Sequence, residues 1–149
     1  LVAAVLWSIV KKVDIILISL GSSLDHSVFY DSIAKAYKSG ICVIAADSNS
    51  NGICYPSNYN EVFSFKAAPK GKGTKNVKSN EYKAVLSIPH SGILTTFAQD
   101  KYMKVYGSSF AAAFGAGLAA LIIEKLRQDS KNDIHPKLIY SELMNLNFN

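Results

Sequence analysis

Ser108 and Ser109 stand where a polar turn, Tyr106-Gly107-Ser108-Ser109, runs without a break into an alanine-rich apolar segment that continues to Ile123. A helix beginning there leaves its first backbone N–H groups unpaired and aimed at whatever the serines hold. Two chemistries fit this arrangement. Either serine can be the N-cap of a core helix, the commonest use of Ser at such a junction. Alternatively, one of them is a nucleophile, presented where the helix dipole favours developing negative charge. Gly115 and Gly117 each cost a helix interior about 1 kcal/mol relative to Ala, and they predict that another backbone packs closely on this helix.

Two further polar stretches follow apolar runs. Val13 to Leu20 ends in Ser19-Leu20-Gly21, and Ile41 to Ala46 is followed by Asp47-Ser48-Asn49. Asn49 can be an ordinary turn residue. It can equally be a neutral amide that donates to the carbonyl oxygen on which acyl transfer builds charge.

The elements that would position these groups alternate in type. Val2, Val5, Leu6, Ile9 and Val10 recur at helical spacing and predict a helix over residues 1–12, ended by Lys11-Lys12. Val13 to Leu20 is a strand apolar enough to be covered on both faces. Phe29 to Lys38 is an amphipathic helix closed by Gly40, and Ile41 to Ala46 is a second buried strand. Helix alternating with apolar strand is the pattern of a parallel sheet with crossover helices, whose active groups gather at the carboxyl ends of the strands. Ser19-Leu20-Gly21 and Asp47-Ser48-Asn49 occupy two such ends. Pro69 to Lys83 is a Lys-, Gly- and Asn-rich solvated loop or hairpin. Asp133-Ile134-His135-Pro136 opens a closing helix through Leu146, with Pro136 at its first position and His135 at the surface.

Taken together, these stretches resemble the subtilisin-like serine peptidases, the subtilases. Gly107-Ser108-Ser109-Phe110-Ala111 is similar to the family's Gly-Thr-Ser-Met-Ala box, with Ser109 on the nucleophile. Val13 to Gly21 looks like the strand that ends in Ser-Leu-Gly and lines the substrate cleft. Ser39 to Asn49 resembles Ser-Gly-Val-Val-Val-Val-Ala-Ala-Ala-Gly-Asn, with Asn49 on the oxyanion-hole asparagine. Tyr55, Pro56, Tyr59 and Val62 match the family's Tyr-Pro-Ala-x-Tyr-x-x-Val stretch. Ser87-Ile88-Pro89-His90 and Ile93-Leu94-Thr95-Thr96 recover part of a later pattern, with His90 a loop residue where the family has Gly.

The resemblance implies an α/β fold, a parallel sheet with helices on both faces. Residues 1–149 would be the C-terminal portion of a single subtilisin-like domain whose N-terminal part is missing. It implies catalytic roles for Ser109 and Asn49, and substrate contact by Ser19, Leu20, Gly21, Ala46, Asp47 and Ser48. The family's triad runs Asp, His, Ser along the chain, and nothing in this sequence matches its Asp or His boxes. Asp14 falls on a strand Asp outside the triad. A serine hydroxyl is a poor nucleophile without a base and a group that orients that base. The chain by itself is therefore expected to be a poor peptidase, and the N-terminal half of its own domain is the expected partner beside a peptide or protein substrate.

Several positions depart from the family. Ser48 replaces the Gly before the asparagine, Asp47 replaces a small apolar residue, and Ala113-Phe114 stands where the family has Pro and His. A peptidase segment and a catalytically inactive, peptide-binding relative both remain open at this level.

Composition excludes other classes. The net charge of +5 is spread along the chain without interleaved aromatics, which fits solubility and not nucleic-acid binding. No apolar run reaches the roughly 20 residues of a bilayer span; Glu124-Lys125 closes the longest. Leu1 to Trp7 lacks the basic leader of a signal peptide, and a first residue other than Met predicts a portion of a longer product. The resemblance favours a secreted or cell-surface location. Cys42 and Cys54 fit buried free thiols, with a disulfide left open by spacing. Three scattered histidines predict no metal site. Many subtilases bind calcium, so the resemblance admits it, but no acidic cluster marks a site, and no other cofactor is expected.

Overall fold

The computed structural model describes residues 1–49, 52–67, 76–78, 84–88, 92–129 and 134–146. The early elements are helix α1 (Val2–Lys11), strand β1 (Ile15–Ile18), helix α2 (Ser27–Lys38) and strand β2 (Cys42–Ala46). Strands β3 (Val62–Ala67), β4 (Asn76–Lys78) and β5 (Ala84–Ile88) follow. The hairpin strands β6 (Ile93–Phe97) and β7 (Lys101–Val105) lead into helices α3 (Ser108–Gln128) and α4 (Pro136–Asn145).

β1, β2, β3 and β5 form a parallel sheet in the order β1-β2-β3-β5-β4, with β4 antiparallel at its edge. All five residues of β2 are buried, as a central strand covered on both faces requires. Alternation along the strands splits the core in two. On one face Val5, Phe29, Ile33 and Ala36 of α1 and α2 pack on Ile18, Val43, Ala45 and Val62. On the other, Ala112, Ala119, Ile123, Ile139 and Leu143 of α3 and α4 cover Ile44, Ala46, Phe63 and Phe65. The fold is thus α/β with helices on both faces. Tyr140 of α4 ties the layers together, its hydroxyl lying 2.9 Å from Glu61 O and 3.1 Å from Val43 O.

Several expectations need adjustment. β1 is shorter than the apolar run and is not covered on both faces, because it lies at the sheet edge and Leu17 is 42% exposed. Gly115 meets an aromatic ring and not a backbone: a Cβ there would lie 2.1 Å from Phe65 Cζ. Gly117 faces open space. α3 is a continuous 21-residue helix, long and apolar enough by length and composition to cross a membrane, although its unbroken apolar run ends at Glu124. One side of it nevertheless packs on the sheet through Ala111, Ala112, Gly115, Ala119 and Ile123. The isolated α3 sequence hides this because alanine and glycine mark its buried side, while Phe110, Phe114 and Leu121 are exposed.

Most of the Lys-rich segment lies outside the described residues, as does His90, but Asn76–Lys78 within it forms β4. α4 starts at Pro136 as expected. His135 is its N-cap, with Nδ1 accepting from Lys137 N–H, and its half-buried ring stands edge-on to Tyr37.

Candidate active site

β1 and β2 run parallel, so their carboxyl ends deliver Ser19-Leu20-Gly21 and Asp47-Ser48-Asn49 to the same edge of the sheet. α3 begins at that edge. Its N-cap is Gly107, at φ 129°, a conformation that disfavours a side chain, and neither serine acts as a cap. Ser108 and Ser109 are instead the first two helical residues, where backbone N–H groups have no partner within the helix.

The helix start is held from two directions. Asn49 Oδ1 accepts from Ser108 N–H at 2.9 Å and from Ser108 Oγ at 3.0 Å. A backbone N–H only donates, so the oxygen of the amide must face Ser108 and the Nδ2 group must turn away from it. Ser108 is 2% exposed, which makes these bonds costly to lose. From the β1 side, Ser109 Oγ donates to Ser19 O at 3.0 Å, and Ser19 Oγ donates to Ser109 O at 3.2 Å. Ser19, Asn49, Ser108 and Ser109 therefore meet at one point, although 59 to 90 positions separate the bonded pairs.

The segment after β1 is clamped as well. Ser22 and Tyr55 exchange backbone hydrogen bonds of 3.0 and 2.8 Å. Gly21 packs so closely on Cys54 that a Cβ at Gly21 would lie 2.2 Å from its Sγ. Ser57 Oγ lies 2.7 Å from Cys54 O and 3.2 Å from Asp47 Oδ1, and Asp47 Oδ1 also accepts from Ser48 N–H at 2.8 Å. Ala46 is buried at the end of β2, whereas Asp47 and Ser48 are half-buried and Leu20 is 52% exposed. Beside Leu20 and Gly21, a mainly apolar cleft of about 290 Å³ is lined by Leu1, Val2, Leu24, Val28 and Phe29 among others.

Sequence reasoning missed Ser57 and Cys54 as the link between the Ser19-Leu20-Gly21 and Asp47-Ser48 segments. It also missed Ser108 as the partner of Asn49. The adjacency of Ser108 to Ser109 was the available signal, since a residue beside a helix-terminal nucleophile sits where a neighbouring loop can bond to it. Both cysteines are free, and burial pushes the Cys42 thiol up to about 12. Asp14, expected to lie outside any triad, pairs with Arg127 at the far end of α3. Among the described residues no cluster of His, Cys, Asp or Glu could hold a metal ion.

The parallel α/β sheet thus brings a pair of serines at the start of a helix beside an asparagine amide from a neighbouring strand end. The Subtilase family's sequence model matches residues 1–145, and the chain belongs to that family. It is 29% identical over 144 residues to subtilisin DY of Bacillus licheniformis, covering 93% of this chain and 53% of that protein. It is 28% identical over 151 residues to the intracellular serine protease of Paenibacillus polymyxa, covering 97% of this chain and 46% of the relative. The prenylagaramide maturation protease PagA shares the fold, with a TM-score of 0.77 at 17% identity over 94% of this chain and 54% of that structure. The chain spans about half the length of these two curated relatives.

Proposed function

We propose that this chain is the nucleophile and oxyanion-hole half of a subtilisin-like serine endopeptidase, completed by a segment that supplies the Asp and His. The observation that carries the proposal is the Asn49–Ser108 pair. With its oxygen pinned by Ser108, Asn49 turns its amide N–H₂ away from that residue, and in this reading the N–H₂ acts as a donor together with the backbone N–H of Ser109. Two such donors stabilise the charge that develops when Ser109 Oγ adds to a peptide carbonyl. An extended peptide would pair with Ser19-Leu20-Gly21 as an added strand, its side chains meeting Ala46, Asp47 and Ser48 on one side and the apolar cleft on the other.

The completing segment is the proposed partner. Coverage of only about half of each relative supports it, and so does the exposed apolar surface of Leu17, Phe114 and Leu121 around the outer edge of β1 and α3.

A second reading has its own support. The Ser109 hydroxyl donates to a carbonyl rather than to a base, and Ser48 adds a side chain next to Asn49. A subtilase that keeps the fold to bind peptides or regulate a partner would tolerate both. Peptide hydrolysis by the natural full-length product separates the two. The proposal expects hydrolysis that Ser109→Ala abolishes, and the second reading expects none from either protein.

A further inference from the structure

On the peptide placement proposed above, the side chain next to the scissile carbonyl would fall between two walls. One is Ser19-Leu20-Gly21 and the other is Ala46-Asp47-Ser48-Asn49. Their shared base is the turn from Cys54 to Ser57, held by the Ser22–Tyr55 backbone bonds, the contact of Cys54 Sγ with Gly21, and Ser57 Oγ between Cys54 O and Asp47 Oδ1.

Asp47 is the one carboxylate on these walls and base. It is half-buried, and its partners are dipoles. Ser48 N–H donates to Oδ1, and Ser57 offers a single hydroxyl hydrogen shared between two acceptors. Among the described residues both bonds go to Oδ1 and no cation meets the carboxylate, even in a chain of net charge +5. A partly desolvated carboxylate with incomplete compensation attracts an ammonium or guanidinium group more strongly than an exposed one does.

We infer that Asp47 makes this subsite select a cationic side chain, Lys or Arg, on the residue whose carbonyl Ser109 would attack. The inference rests on the peptide placement proposed above, but not on turnover.

The test uses the natural full-length product carrying Ser109→Ala, so that binding is read without cleavage. Three peptides identical except for a terminal Lys, norleucine or Glu are titrated by fluorescence anisotropy. The Lys peptide is expected to bind roughly tenfold or more tightly than the norleucine peptide. Asp47→Asn keeps the acceptor for Ser48 and Ser57 and should erase that preference, while Asp47→Lys should shift it toward the Glu peptide. Equal affinities, a Lys preference that survives Asp47→Asn, or no binding by any of the three overturns the inference. Covalent labelling of the unmutated Ser109 reports separately on the peptidase reading. Lys-selective binding without labelling would remove that reading alone, and labelling without Lys selectivity would remove this inference alone.

Discussion

The hydroxyls of Ser19 and Ser109 each donate to the other residue's backbone carbonyl, at 3.2 Å from Ser19 Oγ and 3.0 Å from Ser109 Oγ. The carbonyl of Ser19 is also an acceptor that an added peptide strand would use, so the resting position of Ser109 competes with substrate. Ser19→Ala removes only the Ser19 Oγ bond, in an exposed position, and leaves that carbonyl in place. A stability loss of about 0.5–1 kcal/mol by urea denaturation is expected, with Ser109 still reactive in the full-length product. A loss several times larger would mean that Ser19 holds the start of α3 by more than this bond.

Asn49 has two separable roles, acceptor for Ser108 and donor toward a bound carbonyl. Asn49→Ala strands the buried Ser108 N–H and hydroxyl, at about 1–3 kcal/mol of stability. Asn49→Asp keeps the acceptor and removes the donor. It should unfold near the wild-type midpoint yet lose turnover. Equal turnover in Asn49→Asp would remove the asparagine from the oxyanion role.

The two glycines of α3 should respond in opposite ways. Gly115→Ala drives a Cβ into the buried Phe65 ring, and the overpacking cost of roughly 1–3 kcal/mol exceeds the gain in helix propensity. Gly117→Ala meets open space and should stabilise by up to about 1 kcal/mol. Thermal melts of the two variants test this, and a stabilised Gly115→Ala would show that the Phe65 ring moves aside freely.

Cys42 links stability to alkaline pH. Its thiol is raised from 9.0 to about 12, first by burial. Below pH 9 the thiol is neutral in both folded and unfolded chains, and its contribution is fully present. Above that, the unfolded chain ionises first, so stability falls as pH climbs toward 12, at up to about 1.4 kcal/mol per unit from this group. Tyr140, also raised by burial, adds to the decline in the same direction. Urea midpoints at pH 8 and 10.5 should differ less in Cys42→Ala than in the wild type, the remaining difference including the share of Tyr140, and iodoacetamide should modify Cys54 well before Cys42 in the folded protein.

Much of this architecture is legible in the residues. The apolar run ending in Ala46 announces a buried parallel strand, because a strand covered on both faces cannot alternate. Pro136 marks the start of α4 for the reason that it needs no N–H there. Less legible are features set by tertiary contacts. The ring that requires Gly115 to be small comes from β3, about fifty positions earlier, and no local pattern points to it. The cap at Gly107 and the fixing of Asn49 by Ser108 likewise depend on a loop brought in by the sheet. The Leu17 side of β1 looks fully buried in sequence and is open in the fold because the strand lies at an edge.

The most direct test of the account is to treat the natural full-length product, and residues 1–149 alone, with a serine-reactive phosphonate and to map the modified residue by mass spectrometry. The account predicts a single adduct on Ser109 in the full-length product, absent from Ser109→Ala and weak or absent in the 149-residue chain. No adduct on Ser109 in a full-length product that is folded and binds peptide would contradict it, and would leave a subtilase that binds peptides without cleaving them.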